Sequence, residues 1–592
     1  MSGQYEQAQG IRQASQQLTT VLTRGHLTSP DPESGAMDLA ALKAGVEGLG
    51  ESGAAFLDHV AEDFVRMLGM YSWDTKESYR AHAETVLAVM GRERSRITKR
   101  FRNHAQAAIR ALGALPLAAD ESLGDRYQQL QWSAKQSAKF GAERRANHLT
   151  CVRAAMAHLA QVGGYPDVVR MEFALEAEIA ADAMDPDKQW TVADYCLRLA
   201  VEGGDAGLVV ERDGKRLKSI PKAVRSDPAY GEARELQERL RAQVRRLRSG
   251  LLEPLLTEGR PISADDLIAL LRLPTCREMI SAMIWRTAEG VTGLVEAGGA
   301  DGSDSLLLSD LDGAKIPVTG ALFAAHPWDL FSAGTLGRWQ QFVVSRRIVQ
   351  PVRQAFRELY LLTPAEVEAG TSSARFAGHR VGGARASRLL TARSWRLEGS
   401  EDEGTATRRF GEYEARLGFD EMGHYLSEND PVTGTVSFRK GVGTVALADV
   451  PPLVLSEAMR DVDLIVSVAA VGTADRPYST ATAAARGDLL TALADDLGLT
   501  GVTVEGSFAR VQGKRAAYRV HLGSGSIHIE PAGYLCVVPD SVAAGPEQQV
   551  FLPFADEDVM TSVILSKVLL LAADDRITDP TISAQIERAT AG

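Results

Sequence analysis

Cysteine is scarce in this chain. Cys151, Cys196, Cys276 and Cys536 are the only four in 592 residues, and none stands in a C-x-x-C pair. That excludes a zinc ribbon and a disulfide-stapled scaffold. Isolated thiols of this kind read as small buried apolar side chains in a reducing compartment. Long apolar runs are also missing. "LIVSVAAV" (Leu464–Val471) and "VLLLAA" (Val568–Ala573) fall far short of the roughly 20 residues that span a bilayer, so no membrane partner is expected. The N-terminal "MSGQYEQAQG" has no apolar signal core, and the expected location is the cytoplasm.

Complete catalytic motifs are absent as well. There is no H-E-x-x-H and no G-x-S-x-G. Gly441, Gly443 and Ala446 spell G-x-G-x-x-A, but Pro451 and Pro452 follow too soon for the helix that a dinucleotide site needs, so a hairpin turn is expected. In "GSFARVQGKR" the glycines are further apart than in a P-loop, and Arg515 stands where a magnesium-binding Ser or Thr belongs. A turn between strands is expected there too. Glu421 and His424 sit three apart, but in strand-like surroundings that argue against a metal site. No cofactor is expected.

What is present is an ordinary globular mixture, 45% hydrophobic and 24% charged, with a net charge of −12. That balance argues against a protein coated in nucleic acid, though not against a local basic patch. The length suggests roughly 3 to 4 units. Three domains are expected, residues 1–160, 161–385 and 386–592. The first reads as helical, with apolar positions recurring at helical spacing and a helix over Ala142–Gln161 ended by Gly163–Gly164. The second holds strand-turn-strand patterns around Gly203–Gly204 and Asp213–Gly214. A long helix of about Gly231–Leu252 follows, stopped by Pro254, and further helices cover about Ala264–Leu271, Thr275–Ala288 and Leu330–Val349. Another helix should end at Leu361–Leu362, before a short one capped by Thr363. In the third, "EGSEDEGTATRR" reads as an acidic loop, "PPLVLSEAMRDVDLIVSVAAV" as helix then buried strand, and residues 502–539 as antiparallel strands before a last helix near Glu557–Ala573. Strands cluster in hairpins and do not alternate with helices, so the expected class is α+β.

Four places carry candidate binding or catalytic residues. Residues 212–248 hold 12 basic against 5 acidic residues, net +7. Arg241, Arg245 and Arg248 share a helix side suited to phosphates, and "RERSRITKRFR" (Arg92–Arg102) is a similar cluster. "HPWDL" sets His326 and Trp328 beside Asp329, a natural helix cap. "SRRIVQPVRQAFREL" supplies Arg346 and Arg347, with Arg353 and Arg357 placed to bracket an anion or to pair with Glu358. In "HLGSGSIHIEP", Ser526, His528 and Glu530 line one face of a strand, near His521, as candidates for a catalytic site.

Several long strings resemble the bacterial domain-of-unknown-function 4132 family, whose relatives carry the label molybdate metabolism regulator. They include "RYQQLQWSAKQSAKFGAERRANHLTCVRAAMAHLAQVGGYPDVVRMEFALEAEIA", "HPWDLFSAGTLGRWQQFVVSRRIVQPVRQAFRELYLLTPAEVEAGT" and the tail from "VPPLVLSEAMRDVDLIVSVA" through "YRVHLGSGSIHIEPAGYLCVVP". The resemblance runs over about residues 125–582. It implies a large cytoplasmic protein with helical repeats upstream and no established activity. No molybdate-binding signature accompanies it. The expected function is a non-catalytic scaffold or regulatory protein with a protein partner. The alternatives are a nucleic-acid-associated protein using Arg212–Arg248, and an enzyme built on His521, His528 and Glu530.

Overall fold

Elementary packing accounts for most of the architecture seen in a computed structural model of the chain. The structure describes residues 16–29, 34–50, 53, 56–57, 82–183, 189–202, 205–217, 219–298, 305–399, 403–421, 426, 429–471, 480–531, 533–538, 551–554 and 559–590. The chain divides into two compact units, Met1–Glu178 and Ile179–Gly592.

The first unit is helical. α1 (Leu39–Glu47) is capped by Asp38, whose carboxylate accepts from the Ala41 N–H. α2 (Arg94–Arg102) buries only Ile97 and Phe101, four residues apart on one face, and exposes its basic side. α3 (Gln106–Ala114) lies so close to α5 (Ala142–Val162) that a Cβ on Gly113 would sit 2.1 Å from the Ala155 carbonyl oxygen. Between them in sequence, α4 (Leu123–Gln136) opens with a reciprocal capping box of Ser122 and Asp125. α6 (Val168–Ala183) follows. The core of this unit holds Leu42, Val86, Ile109, Leu112 and Leu159, all nearly free of solvent.

The second unit is α+β, and its described residues form four sheets in which every strand pair is antiparallel. The first sheet is a meander of β1 (Trp190–Val192), β2 (Tyr195–Glu202), β3 (Asp205–Arg212) and β4 (Lys215–Arg216). Its helix α7 (Pro228–Arg246) buries Leu240 and Val244. The expected stop at Pro254 is corrected: a π-helical stretch, Leu247–Leu252, leads into α8 (Glu253–Glu258), with Pro254 inside it. The wider π turn absorbs the missing N–H and the ring of the proline.

The second sheet has the order β5-β10-β6-β7-β8-β9: β5 (Pro261–Ile262), β6 (Ile284–Thr287), β7 (Thr292–Gly298), β8 (Ser305–Ser309), β9 (Lys315–Val318) and β10 (Leu322–Ala324). α9 (Ala264–Arg272) and α10 (Pro274–Ser281) precede β6. The helix expected to reach Ala288 therefore ends at Ser281, because Ile284–Trp285 pair with β7 and β10. The single helix expected at 330–349 is two, α11 (Pro327–Ser332) and α12 (Leu336–Ser345), broken at Gly334 with its φ of 67°. Residues 351–362 form no helix. They are mostly buried coil, in which the Ala355 N–H donates to Gln350 Oε1 and Gln350 Nε2 donates to Gln354 Oε1. Gln354 Nε2 donates to the carbonyls of Ile284 and Ala325, and its Oε1 accepts from the Ile284 N–H. α13 (Pro364–Ala369) does carry the Thr363 cap, as a capping box with Glu366.

The third sheet runs β11-β15-β14-β13-β12, with β16 on β15: β11 (Ser372–Ser373), β12 (Arg396–Gly399), β13 (Glu403–Phe410), β14 (Tyr413–Asp420), β15 (Val432–Lys440) and β16 (Gly443–Val445). α14 (Gly383–Ala392) precedes β12. The expected acidic loop is thus mostly strand β13, since Ala406, Arg408 and Phe410 turn inward between two partner strands. Gly441 and Gly443 do form a hairpin, with Lys440 opposite Gly443. His424 and its neighbours at 422–425 lie outside the described residues.

α15 (Pro452–Ala469) is one helix, where helix then strand was expected. α16 (Thr480–Asp496) leads to the fourth sheet, a meander of β17 (Val502–Glu505), β18 (Phe508–Gln512), β19 (Ala517–His521), β20 (Ile527–Glu530) and β21 (Tyr534–Cys536). α17 (Val559–Ala572) and a further helix not expected from the sequence, α18 (Pro580–Thr590), close the unit.

Candidate functional site

α15 carries Ser456, Glu457, Asp461 and Asp463 among mainly apolar residues, and all four are buried. Burying a carboxylate without a partner is prohibitive, so each is matched. Glu457 takes two hydrogen bonds from Arg357, Nε to Oε1 at 2.6 Å and Nη2 to Oε2 at 2.7 Å. His326 Nε2 lies 3.0 Å from the same Oε1. Arg357 also reaches Glu253 of α8 at 2.8 Å. Beside it, Glu358 pairs with Arg353 at 2.6 Å and with Arg460 at 2.8 Å. Asp461 accepts from Arg408 and from the Trp395 indole N–H at 2.8 Å, and Arg393 lies 3.2 Å away. Asp463 receives the Tyr360 hydroxyl.

The electrostatics follow from this pairing. Burial pushes the Glu457 carboxyl upward, but the charge and hydrogen bonds of Arg357, with His326, override it and hold its pKa well below the usual range. Burial likewise opposes ionisation of Glu358, and Arg460 and Arg353 win, leaving it at about 2. Burial alone would ease deprotonation of Arg357, yet Glu253 and Glu457 raise its pKa well above the ordinary value. These groups are fixed ions held by one another, not poised acids or bases.

His326 is the N-cap of α11. Its Nδ1 accepts from the Trp328 N–H at 3.1 Å, and the Asp329 carboxylate accepts from the His326 N–H at 2.9 Å. Asp329 therefore completes a capping box whose cap is His326. Both ring nitrogens of His326 are engaged, since Nε2 faces Glu457. Trp328 is half-buried beside Phe331. Arg346 lies over Phe342, and Arg347 pairs with Asp496 at 3.0 Å and covers Phe551. Of the two roles open to Arg353 and Arg357, the structure takes pairing with Glu358 and its neighbours.

The basic helix α7 spends much of its charge internally. Arg239 pairs with Glu235, and Arg234 and Arg241 share Glu238. Arg241 Nε also donates to the Ala206 carbonyl at 2.9 Å. Arg245 is exposed, while Arg248 is half-buried.

In the C-terminal sheet, Val511, Tyr518, Val520, Ile527 and Ile529 face the core, and the opposite face is open. Arg510, Arg519, His528 and Leu535 fall in one row across it. Glu530 pairs with Arg510 at 3.3 Å, and Arg519 lies over the Phe508 ring. His521 is turned into the β19–β20 turn. Its Nδ1 accepts from the N–H groups of Gly523 and Ser524 at 3.2 and 3.0 Å, with the Ser524 hydroxyl 3.1 Å away. Ser526 reaches Ser524, at 3.0 Å. Burial, then the neighbouring His528, lowers the His521 pKa, in the same direction as the acceptor role of its Nδ1. His528 and Glu530 thus share a face, while His521 caps a turn and His326 belongs to the α15 network.

A third constellation was invisible in the sequence. The "QGKR" turn does bind an anion, but that anion is the protein's own. Buried Asp574 accepts from the backbone N–H groups of Lys514, Arg515 and Ala516 at 2.8 to 3.1 Å, and from the Tyr518 hydroxyl at 2.9 Å. Such a nest of N–H groups is the device that P-loops turn on phosphates.

Among the described residues no group of three His, Cys, Asp or Glu side chains is placed to hold a metal, and no helix is long and apolar enough to cross a membrane. All four cysteines are free. No curated protein and no solved structure matches the chain. Residues 93–175 match the model of a family of unknown function (DUF5724). Residues 483–586, which contain strands β17 to β21, match a domain of unknown function (DUF7737), and no matched description carries a molybdate label. Residues 214–395, with His326, Arg353 and Arg357, match the domain of unknown function (DUF4132), so this part of the chain is similar to the family that the sequence resembles.

Proposed function

We propose that the chain is a non-catalytic interaction protein, a scaffold or regulator that works through its surfaces on a protein partner in the cytoplasm. One observation carries the reading: the side chains best suited to chemistry in the second unit are consumed by internal contacts. His326 has both ring nitrogens engaged. His521 has its Nδ1 lone pair directed into a turn, so Ser524 lacks a free general base. Glu457 and Glu358 are locked by arginines. General acid–base work needs a group free to reach the reacting atom, and these are turned into internal contacts. The four free cysteines support a reducing compartment.

The test is turnover. Purified chain incubated with ATP, GTP or an RNA strand is expected to release product no faster than heat-denatured chain. Turnover that disappears in His528→Ala, with the thermal melt unchanged, would overturn the reading.

A further inference from the structure

The first unit carries an aromatic stack that ends at the surface inside a basic field. His104 follows α2 with a left-handed φ of 58°, which folds its ring back against α4. There it stacks on Trp132 at 5.4 Å, with an interplanar angle of 23°. Phe101 packs against the same indole, and Phe140 and His148 extend the cluster behind His104. Trp132 is nonetheless 44% exposed. An indole backed by an aromatic ring and open on its outer side is a platform for one more ring.

The surroundings are cationic. Residues 92–153 hold 13 basic against 5 acidic residues, net +8, in a chain whose total is −12. Lys135 is one helical turn from Trp132 on α4. Lys139 reaches back to Gln136, and Arg144 lies 4.2 Å over the Phe140 ring. Arg102 is exposed next to Phe101. Three of the five acids of this stretch are committed elsewhere: Glu93 to Arg96, Glu121 to Arg126 and Arg94, Asp125 to the α4 cap. Among the described residues Arg102, Lys135 and Arg144 have no ion-pair partner.

We propose that this face binds single-stranded nucleic acid, one base stacking on Trp132 while Arg102, Lys135, Lys139 and Arg144 meet the phosphates. A stacking ring within a track of cations is the recognition chemistry of single strands, because every base has a π-face and every linkage a charge. A duplex keeps its bases stacked away from the indole, and an acidic peptide has no use for it. The site is in the first unit and stands apart from the proposed role of the second.

The experiment is fluorescence anisotropy of labelled oligo(U) and oligo(dT) with the full chain at low salt. Binding is expected, weakening steeply as salt rises. Trp132→Ala should weaken it about 5- to 150-fold, and Trp132→Phe by less. Combined Lys135→Glu and Arg144→Glu should abolish it, whereas reversing Arg241, Arg245 and Arg248 to Glu should leave it unchanged. Circular dichroism melts that overlay the parent chain confirm that each variant is folded. The proposal is overturned by absence of binding at low salt, by equal affinity for a duplex, by indifference to Trp132→Ala, or by loss on reversing Arg241, Arg245 and Arg248 instead.

Discussion

His158 shows what a single buried ring does. Its Nε2 accepts from the Met37 N–H at 3.0 Å, and its Nδ1 faces the Arg110 carbonyl at 3.2 Å, which together require the neutral ring with its proton on Nδ1. Burial lowers its pKa from 6.5 to about 4. The unfolded chain therefore binds the extra proton between those values. The stability contributed by the neutral ring is whole above about pH 6.5 and is lost as pH falls toward 4, roughly 3 kcal/mol in all. The urea midpoint of the first unit should drop over that window, and His158→Gln should flatten the slope. Asp574 gives a second expectation. Asp574→Ala strands three backbone N–H groups and the Tyr518 hydroxyl, a loss on the order of 4 kcal/mol. Amide hydrogen exchange at Lys514, Arg515 and Ala516 should accelerate, and unchanged exchange there would refute the nest. The sequence exposed only half of this feature. The glycine-lysine turn was legible, but the carboxylate that fills it lies 58 residues from Ala516, and nothing local points to it.

Elements were legible where one local rule governed them. Thr363, Pro364 and Glu366 announce the α13 capping box, and the alternation in "SIHIE" announces β20. They were misread where a distant partner decided. "LIVSVAAV" is a short apolar run that periodicity alone cannot divide between strand and buried helix, and it continues α15. Residues 351–362 carry helix-forming side chains, yet Gln350 and Gln354 hold this stretch open against β6 and β10, 70 residues away in the case of Ile284. The contact between α3 and α5 makes the sharpest prediction at this scale. A Cβ at Gly113 would meet the Ala155 backbone at 2.1 to 2.7 Å, and backbone cannot rotate away as a side chain can. Gly113→Ala should cost about 1–3 kcal/mol even though alanine favours the helix. A variant as stable as the parent in urea would show that the helices are not packed this closely.

Across the whole molecule, charge is distributed so that the two units answer acid differently. Among the described residues the first holds three histidines with lowered pKa values, His82 and His158 at about 4 and His148 also lowered, each chiefly by burial. Among the described residues of the second one such histidine is found, His521, and this unit depends instead on carboxylates such as Glu358 and Glu457. Those carboxylates have folded pKa values below their unfolded 4.5, so their contribution is intact above about pH 4.5 and fails as pH falls toward 2. Calorimetry between pH 7 and 4.5 should therefore lower the transition of the first unit well before that of the second. Variants assign the transitions: Gly113→Ala should move the first, and Glu457→Gln the second. Glu457→Gln leaves buried Arg357 with Glu253 as its remaining carboxylate, at a cost of about 3–5 kcal/mol. Replacing both partners, Arg357→Met with Glu457→Leu, should recover most of that loss, because neither buried charge is left behind. If the double variant is no more stable than Glu457→Gln alone, then the pair does more than neutralise itself. Its geometry, reaching Glu253, His326 and α15 at once, would then be what fixes those segments against one another.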